Sequence, residues 1–204
     1  MTKIKLCGMK RPCDIDWANE LMPEYVGFVF APGSKRYVSP EQAAALSASL
    51  KEDITPVGVF VDEAPETIAR LVQEKVIELV QLHGSEDNGY IKNLRAKVSC
   101  PIIQAFRVEG ERDIAAAQDS AADYIMLDSG GGTGKPFDHG LIEGLNRAFF
   151  LAGGLDAANV QEAIQMCRPY AVDASSSLET DGVKDKKKMS AFVNAVRDRK
   201  DETK

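Results

Sequence analysis

The sequence predicts a closed (β/α)8 barrel, eight parallel strands with surrounding helices. Three observations carry that expectation. Eight short apolar runs recur along the chain: "IKLC" (4–7), "YVGFVF" (25–30), "PVGVFV" (56–61), "ELVQLH" (78–83), "PIIQAF" (101–106), "DYIMLD" (123–128), "FFLAGG" (149–154) and "YAVDAS" (170–175). Their starts lie about 20 to 30 residues apart, room for one strand and one helix each, and alternating strands and helices imply a parallel sheet. Eight such units imply closure into a barrel. No linker or low-complexity tract interrupts the 204 residues, so one barrel domain over 1–204 is expected. A doubly wound open sheet is the competing architecture. The absence of G-x-G-x-x-G after the first run weighs against its dinucleotide-binding form.

The elements follow in order. The first strand stops at Cys7-Gly8, where a glycine lets the chain turn sharply. In "VSPEQAAALSASL", Ser39 is an N-cap, Pro40 suits the first turn and Gln42 completes a capping-box spacing. "PETIARLVQEKV" has apolar residues at 68, 69, 71, 72 and 76, one face of a helix. "DAANVQEAIQMC" reads as a helix capped by Asp156. The charged tail "RDRKDETK" is expected to be a fraying helix end.

Composition narrows the function classes. The chain is 44% hydrophobic and 27% charged with a net charge of −6, an ordinary globular balance. Without a basic stripe, nucleic acid is not expected as a partner. No apolar run reaches the roughly 20 residues that span a bilayer, and the first residues are polar and charged, so neither a membrane span nor a signal peptide is expected. Cys7, Cys13, Cys100 and Cys167 form no C-x-x-C pair, which fits free thiols in a reducing cytoplasm. His83 and His139 have no zinc-like spacing, so no metal is expected. A monomer and a homodimer are equally compatible with the sequence.

In a barrel of this kind, functional residues sit at the C-terminal ends of the strands, and phosphate is often held after strands 7 and 8. Period-two alternation puts Lys3, Lys5 and Cys7 on one face of strand 1, Gln81 and His83 together on strand 4, and Tyr124, Met126 and Asp128 together on strand 6. The apolar residues between them should face the helices. Buried charges need partners, so Lys5, Asp128 and Asp173 are expected in one network. Glycine-rich turns let backbone N–H groups approach an anion. "AGGLDAANV", with Gly153 and Gly154, and "SSSLETDG", with Ser175 and Ser176, have this form on adjacent strands and point to a phosphorylated small molecule. A third cluster, "SGGGTGK" (129–135), fails as a P-loop because Pro136 follows Lys135. It reads as a loop over the site, with Gly132 and Gly134 as further phosphate contacts and Lys135 near the anion. "APGSKRYVSP" brings Lys35 and Arg36 to the mouth, and arginine holds a carboxylate in a planar fork.

Taken together, "KLCGMKRPCD", "YVGFVFAPGSKRYVSP", "VGVFVD", "VQLHGSE", "LDSGGGTGKPFD", "LAGGLDAANV" and "VDASSSLETDGVKD" resemble the phosphoribosylanthranilate isomerase family, in order and along essentially the whole chain. The resemblance implies a (β/α)8 barrel of tryptophan biosynthesis. It also implies a cofactor-free Amadori rearrangement of N-(5-phosphoribosyl)anthranilate to the 1-deoxyribulose 5-phosphate product. It implies a general base at Cys7, a general acid at Asp128, and Arg36 on the anthranilate carboxylate. It implies Asp173 near the substrate and the glycines after strand 7 and serines after strand 8 on the phosphate; Lys5 and His83 are expected at the substrate from their places on strands 1 and 4. The acid must be protonated part of the time near neutral pH, so burial is expected to raise Asp128. Lys5, two residues before Cys7, is expected to increase its thiolate population.

The chain departs from the family at Ser177, where S-S-G is usual, and at His139, where a Trp commonly follows F-D. A positive φ at Ser177 would cost on the order of 1–3 kcal/mol. Two other readings compete. A histidine-pathway sugar-phosphate isomerase has the same barrel and uses two aspartates, one ending strand 1, where this chain has Cys7. A non-catalytic barrel binding a phosphorylated ligand would have lost the acid or the base, and both are present.

Overall fold

A computed structural model of the chain describes residues 1–128, 139–142 and 144–198 and, of His139, the backbone alone. Eight strands, all parallel, close on themselves: β1 (Lys3–Cys7), β2 (Tyr25–Val29), β3 (Thr55–Phe60), β4 (Leu79–Leu82), β5 (Ile102–Arg107), β6 (Tyr124–Asp128), β7 (Phe149–Ala152) and β8 (Ala171–Ala174). Closure comes through β1, whose Lys5 lies opposite Tyr25 of β2 on one side and Asp173 of β8 on the other. Helices α1 (Pro12–Leu21), α2 (Pro40–Ser47), α3 (Pro65–Gln73), α4 (Asn88–Arg95) and α5 (Glu111–Gln118) follow the first five strands, and α6 (Val160–Cys167) and α7 (Lys186–Arg197) the last two. After β6 the described residues hold only a 3-10 turn, His139–Ile142, where a full helix was expected.

Alternation along the strands produces the layering. Ile4 and Leu6 of β1 point outward into the large apolar shell between barrel and helices, with Ile68 and Leu71 of α3 and Phe192 of α7. The inward residues form two separate groups. Tyr25, Val57, Leu79, Ile103, Met126 and Phe150 fill the barrel body. Cys7, Val29 and Val59 form a smaller cluster at the C-terminal end.

Local capping fixes where the helices begin. Ser39 Oγ accepts from the Gln42 N–H (3.2 Å), as its spacing predicts. The other half of the expected capping box is replaced, because the Gln42 amide donates to the Lys10 carbonyl (2.7 Å) and ties α2 to the β1–α1 turn. Asp156 accepts from the Ala158 and Asn159 N–H groups (2.7 and 3.0 Å), but it organises a preceding turn. The helix proper begins at Val160, so the expected Asp156 cap is one turn too early. Val193 and Val196 of α7 are buried, and its C-terminal end carries exposed Arg197 and Asp198. Residues 199–204 of the charged tail lie outside the described residues.

Candidate active site

The chain leaves β1 through Gly8, whose φ of +84° is costly for any side chain. The Gly8 and Met9 N–H groups both donate to the Gly27 carbonyl (2.8 and 3.1 Å). This turn holds Cys7 at the strand end, facing into the barrel. A cavity of about 310 Å³ opens there, and Cys7, Arg36, His83, Asp128, Asp173, Gly153, Gly154, Ser175 and Ser176 all line it. Lys5 lies beneath the floor, fully buried. The predicted residues thus converge, except Gly132, Gly134 and Lys135, which lie outside the described residues.

The polar network differs from the expected one. Lys5 Nζ donates to Asp173 Oδ1 at 2.7 Å. Asp128 lies across from His83, with Oδ2 3.6 Å from His83 Nε2, whereas the carboxylate paired with Lys5 is that of Asp173. The Gln81 amide nitrogen meets His83 Nδ1 at 3.1 Å. An amide nitrogen only donates, so this contact is a hydrogen bond when Nδ1 is the accepting nitrogen of the imidazole. Gln81 Oε1 is buried without a hydrogen-bond partner among the described residues.

Electrostatics at Cys7 set burial against the neighbouring ammonium groups. Burial pushes the thiol up; Lys5 and Lys184 pull it down, Asp173 pushes it further up, and the net value lies above that of an ordinary cysteine. At neutral pH Cys7 is therefore a thiol. Lys5 does act in the anticipated direction, but desolvation outweighs it. For Lys5 itself burial lowers the pKa, while Asp173 and Cys7 raise it, and the net value is raised. Lys5 is thus a charged ammonium.

Arg36 is not an open fork. Its Nε and Nη2 hold both oxygens of Glu179 at 2.6 and 2.8 Å. Glu179 also accepts from Lys184 Nζ at 2.6 Å. Both residues belong to a small hairpin after β8, β9 (Glu179–Thr180) paired with β10 (Val183–Lys184). Lys35, beside Arg36, is exposed.

On the phosphate side, Gly153 and Gly154 have φ of +96° and +67°, a turn that only glycine makes without strain. Ser175 Oγ donates to the Cys7 carbonyl at 3.1 Å. Ser177 lies in a short 3-10 turn, Ser176–Leu178, and is not among the positive-φ residues, so the strain considered for it is absent. Its hydroxyl donates to the Leu155 carbonyl at 2.5 Å and ties the two loops together.

Several residues of the site were not anticipated. A Cβ on Gly27 would lie 2.7 Å from Cys7 Sγ and 3.2 Å from Lys5 Nζ. A glycine inside a strand signals such close approach, so the signal was in "YVGFVF". Gln81 shares a face with His83 but carried no assigned role. Glu179 and Lys184 lie in a polar stretch whose Asp181-Gly182 pair signals a two-residue hairpin turn. Both residues have positive φ, +52° and +77°.

A closed parallel barrel with polar side chains lining one cavity at its C-terminal mouth has the build of a (β/α)8-barrel enzyme. The family model for N-(5'-phosphoribosyl)anthranilate isomerase matches residues 4–195, and the chain belongs to that family. An isomerase of that name from Thermoanaerobacter sp. (strain X514) is 42% identical over 204 residues, covering 97% of this chain and 98% of the relative. The solved phosphoribosyl anthranilate isomerase from Thermotoga maritima superposes with a TM-score of 0.89 at 37% identity, covering 97% of this chain and 99% of that one. A further solved isomerase, in complex with reduced 1-(o-carboxyphenylamino)-1-deoxyribulose 5-phosphate, gives 0.87 at 36% identity, with 97% and 99% covered. Among the described residues no helix is long and apolar enough to cross a membrane.

Proposed function

We propose that the chain converts N-(5-phosphoribosyl)anthranilate to 1-(2-carboxyphenylamino)-1-deoxyribulose 5-phosphate, with Asp128 as general acid and Cys7 as general base. Asp128 gives its proton to the ribose ring oxygen. The C1′–oxygen bond breaks and the nitrogen lone pair forms the C1′=N bond of a Schiff base. Cys7, as thiolate, takes the C2′ proton, and the electron pair flows to nitrogen to give an enolamine. Proton transfer to C1′ and loss of the C2′ hydroxyl proton give the ketone. C2′ is oxidised while C1′ is reduced, so electrons balance within the substrate and the step requires no external redox partner.

The observation that carries this reading is that Cys7 and Asp128, from β1 and β6, line the same cavity as the loops after β7 and β8. Gly153, Gly154, Ser175 and Ser176 are assigned to the phosphate and Arg36 to the anthranilate carboxylate. His83, Lys5 and Asp173 complete the polar surround. Lys5 balances the charge of Asp173 and lowers the thiol from the value that burial alone would set, which supports proton removal once a substrate is seated. The family resemblance of the solved complex with a reduced product analogue is further support.

The test is the loss of substrate fluorescence on incubation with freshly prepared N-(5-phosphoribosyl)anthranilate. Turnover by the wild-type chain supports the reading. Turnover of the histidine-pathway aminoaldose alone, or of neither compound, overturns it.

A further inference from the structure

The Arg36 fork is occupied by a residue that the reaction does not explain. Glu179 takes the side edge of the guanidinium, Nε and Nη2. That leaves Nη1 and the second Nη2 proton, the end edge, and Nη1 has no hydrogen-bond partner among the described residues. Arg36 lines the cavity, whereas Glu179 and Lys184 stand behind it. Lys184 is almost entirely buried and donates to Glu179 Oε1 (2.6 Å) and to the Ser175 carbonyl (2.9 Å). The Arg36 stem lies on Gly8, where a Cβ would come within 2.5 Å of its Cδ. An arginine held on its side edge can still grip a second carboxylate end-on. An isolated Arg–Glu pair would be neutral toward that carboxylate. With Lys184 the group carries two positive charges against one negative, and so keeps a net attraction for an anion.

We propose that Glu179 and Lys184 are positioning residues for Arg36, fixing its guanidinium so that the end edge faces the substrate carboxylate while the cluster stays cationic. The inference rests on the isomerase reading and goes beyond it by assigning the β9–β10 hairpin to recognition of the aryl carboxylate. Burial pushes the Glu179 carboxyl up, but its bonds from Arg36 and Lys184 win and hold it below the usual carboxylate range. The bridge is therefore charged at neutral pH.

The test compares two substrates on the full chain, N-(5-phosphoribosyl)anthranilate and its des-carboxy analogue N-(5-phosphoribosyl)aniline, in wild type, Glu179→Gln and Lys184→Met. Loss of one charge-assisted hydrogen-bond arrangement is worth about tenfold in affinity. Each variant is expected to raise KM for the carboxylate substrate about that much, with kcat within about twofold. Kinetics on the analogue should be unchanged. A purely structural role would impair both substrates together, and an autoinhibitory Glu179 would lower KM when removed. Either result, or an unchanged KM, overturns the proposal. If Glu179→Gln does not fold, Glu179→Asp, which keeps the charge but withdraws it by one methylene, is read by the same criteria. A wild-type chain inactive on both compounds overturns the isomerase reading and this proposal with it, an outcome distinct from any variant result.

Discussion

At the N-terminal end of the barrel, Lys3 Nζ bonds the Tyr170 hydroxyl at 2.7 Å, next to the interlocking rings of Tyr25, Tyr124, Phe150 and Tyr170. At the other end of the same strand, Cys7 faces an open cavity. Strand β1 presents Lys3, Lys5 and Cys7 inward by the same alternation, so facing alone does not distinguish plug from site. The neighbours do. Around Lys3 the adjoining strands contribute aromatic rings, whose volume closes the interior. Around Cys7 they contribute Gly27, Ala152, Ala174 and Ser175, and the space left over is the cavity. Lys5 stands between, fully buried and paired with Asp173. Side-chain size, layer by layer, turns one end of a packed barrel into a place where chemistry can occur.

Five substitutions test this contrast. Removing the mouth's reacting groups should have the largest effect: Cys7→Ala and Asp128→Asn are each expected to lower kcat by roughly 100- to 10,000-fold. Steady-state rates check this, with melting curves near wild type. Activity close to wild type in either variant would remove that residue from the account.

Lys5→Met acts on the layer between. It strands the Asp173 carboxylate, whose side chain is 11% exposed, and breaking a buried pair costs about 3–5 kcal/mol. Urea midpoints check this. Thiol titration should show the Cys7 pKa rising further, since Lys5 now lowers it. In the wild type, Lys5 is raised, so its contribution is present below about pH 10.4 and is lost as pH climbs through its folded value. Cys7 is raised as well; above about pH 8.5 an unfolded thiol ionises while the folded one does not. Both effects have one sign, and stability should fall steadily from about pH 8.5 upward. A flat urea midpoint between pH 8 and 11 would contradict both.

Gly27→Ala tests whether small neighbours make the site. Its Cβ would press on Cys7 Sγ and Lys5 Nζ, and overpacking typically costs about 1–3 kcal/mol. We expect a lower melting temperature together with reduced kcat. Tyr170→Phe should have the smallest effect. It removes one of the two tyrosine hydroxyls that Lys3 bonds at the closed end, costs about 1 kcal/mol and leaves kcat and KM unchanged. A catalytic defect there would dissolve the distinction between the two ends.

The same contrast explains what could be read from the sequence. The eight strands were legible because "YVGFVF", "DYIMLD" and their counterparts are apolar runs between turn signals, and because the barrel buries both faces of each strand. The residues at strand ends were legible too: Cys7, His83, Asp128 and Asp173 follow from alternation and position. What they touch was not. The pairing of Lys5 with Asp173 depends on β1 lying beside β8, a long-range closure. The protonated Cys7 depends on burial by Gly27, Val29 and Val59 around it. Glu179 and Lys184 were overlooked because each strand of their hairpin is only two residues long, too short for alternation to register. The Asp181-Gly182 turn was the one local sign of it.

The central claim is that Cys7 and Asp128 serve different atoms of one sugar. A crystal structure with the reduced product analogue bound tests it most directly. We expect the Asp128 carboxyl within about 2.6–3.2 Å of the oxygen that comes from the ribose ring. Cys7 Sγ should lie against C2′, and the phosphate on the loops after β7 and β8. A ligand seated the other way round, with its phosphate at Arg36 and its C2′ turned from Cys7, would contradict it.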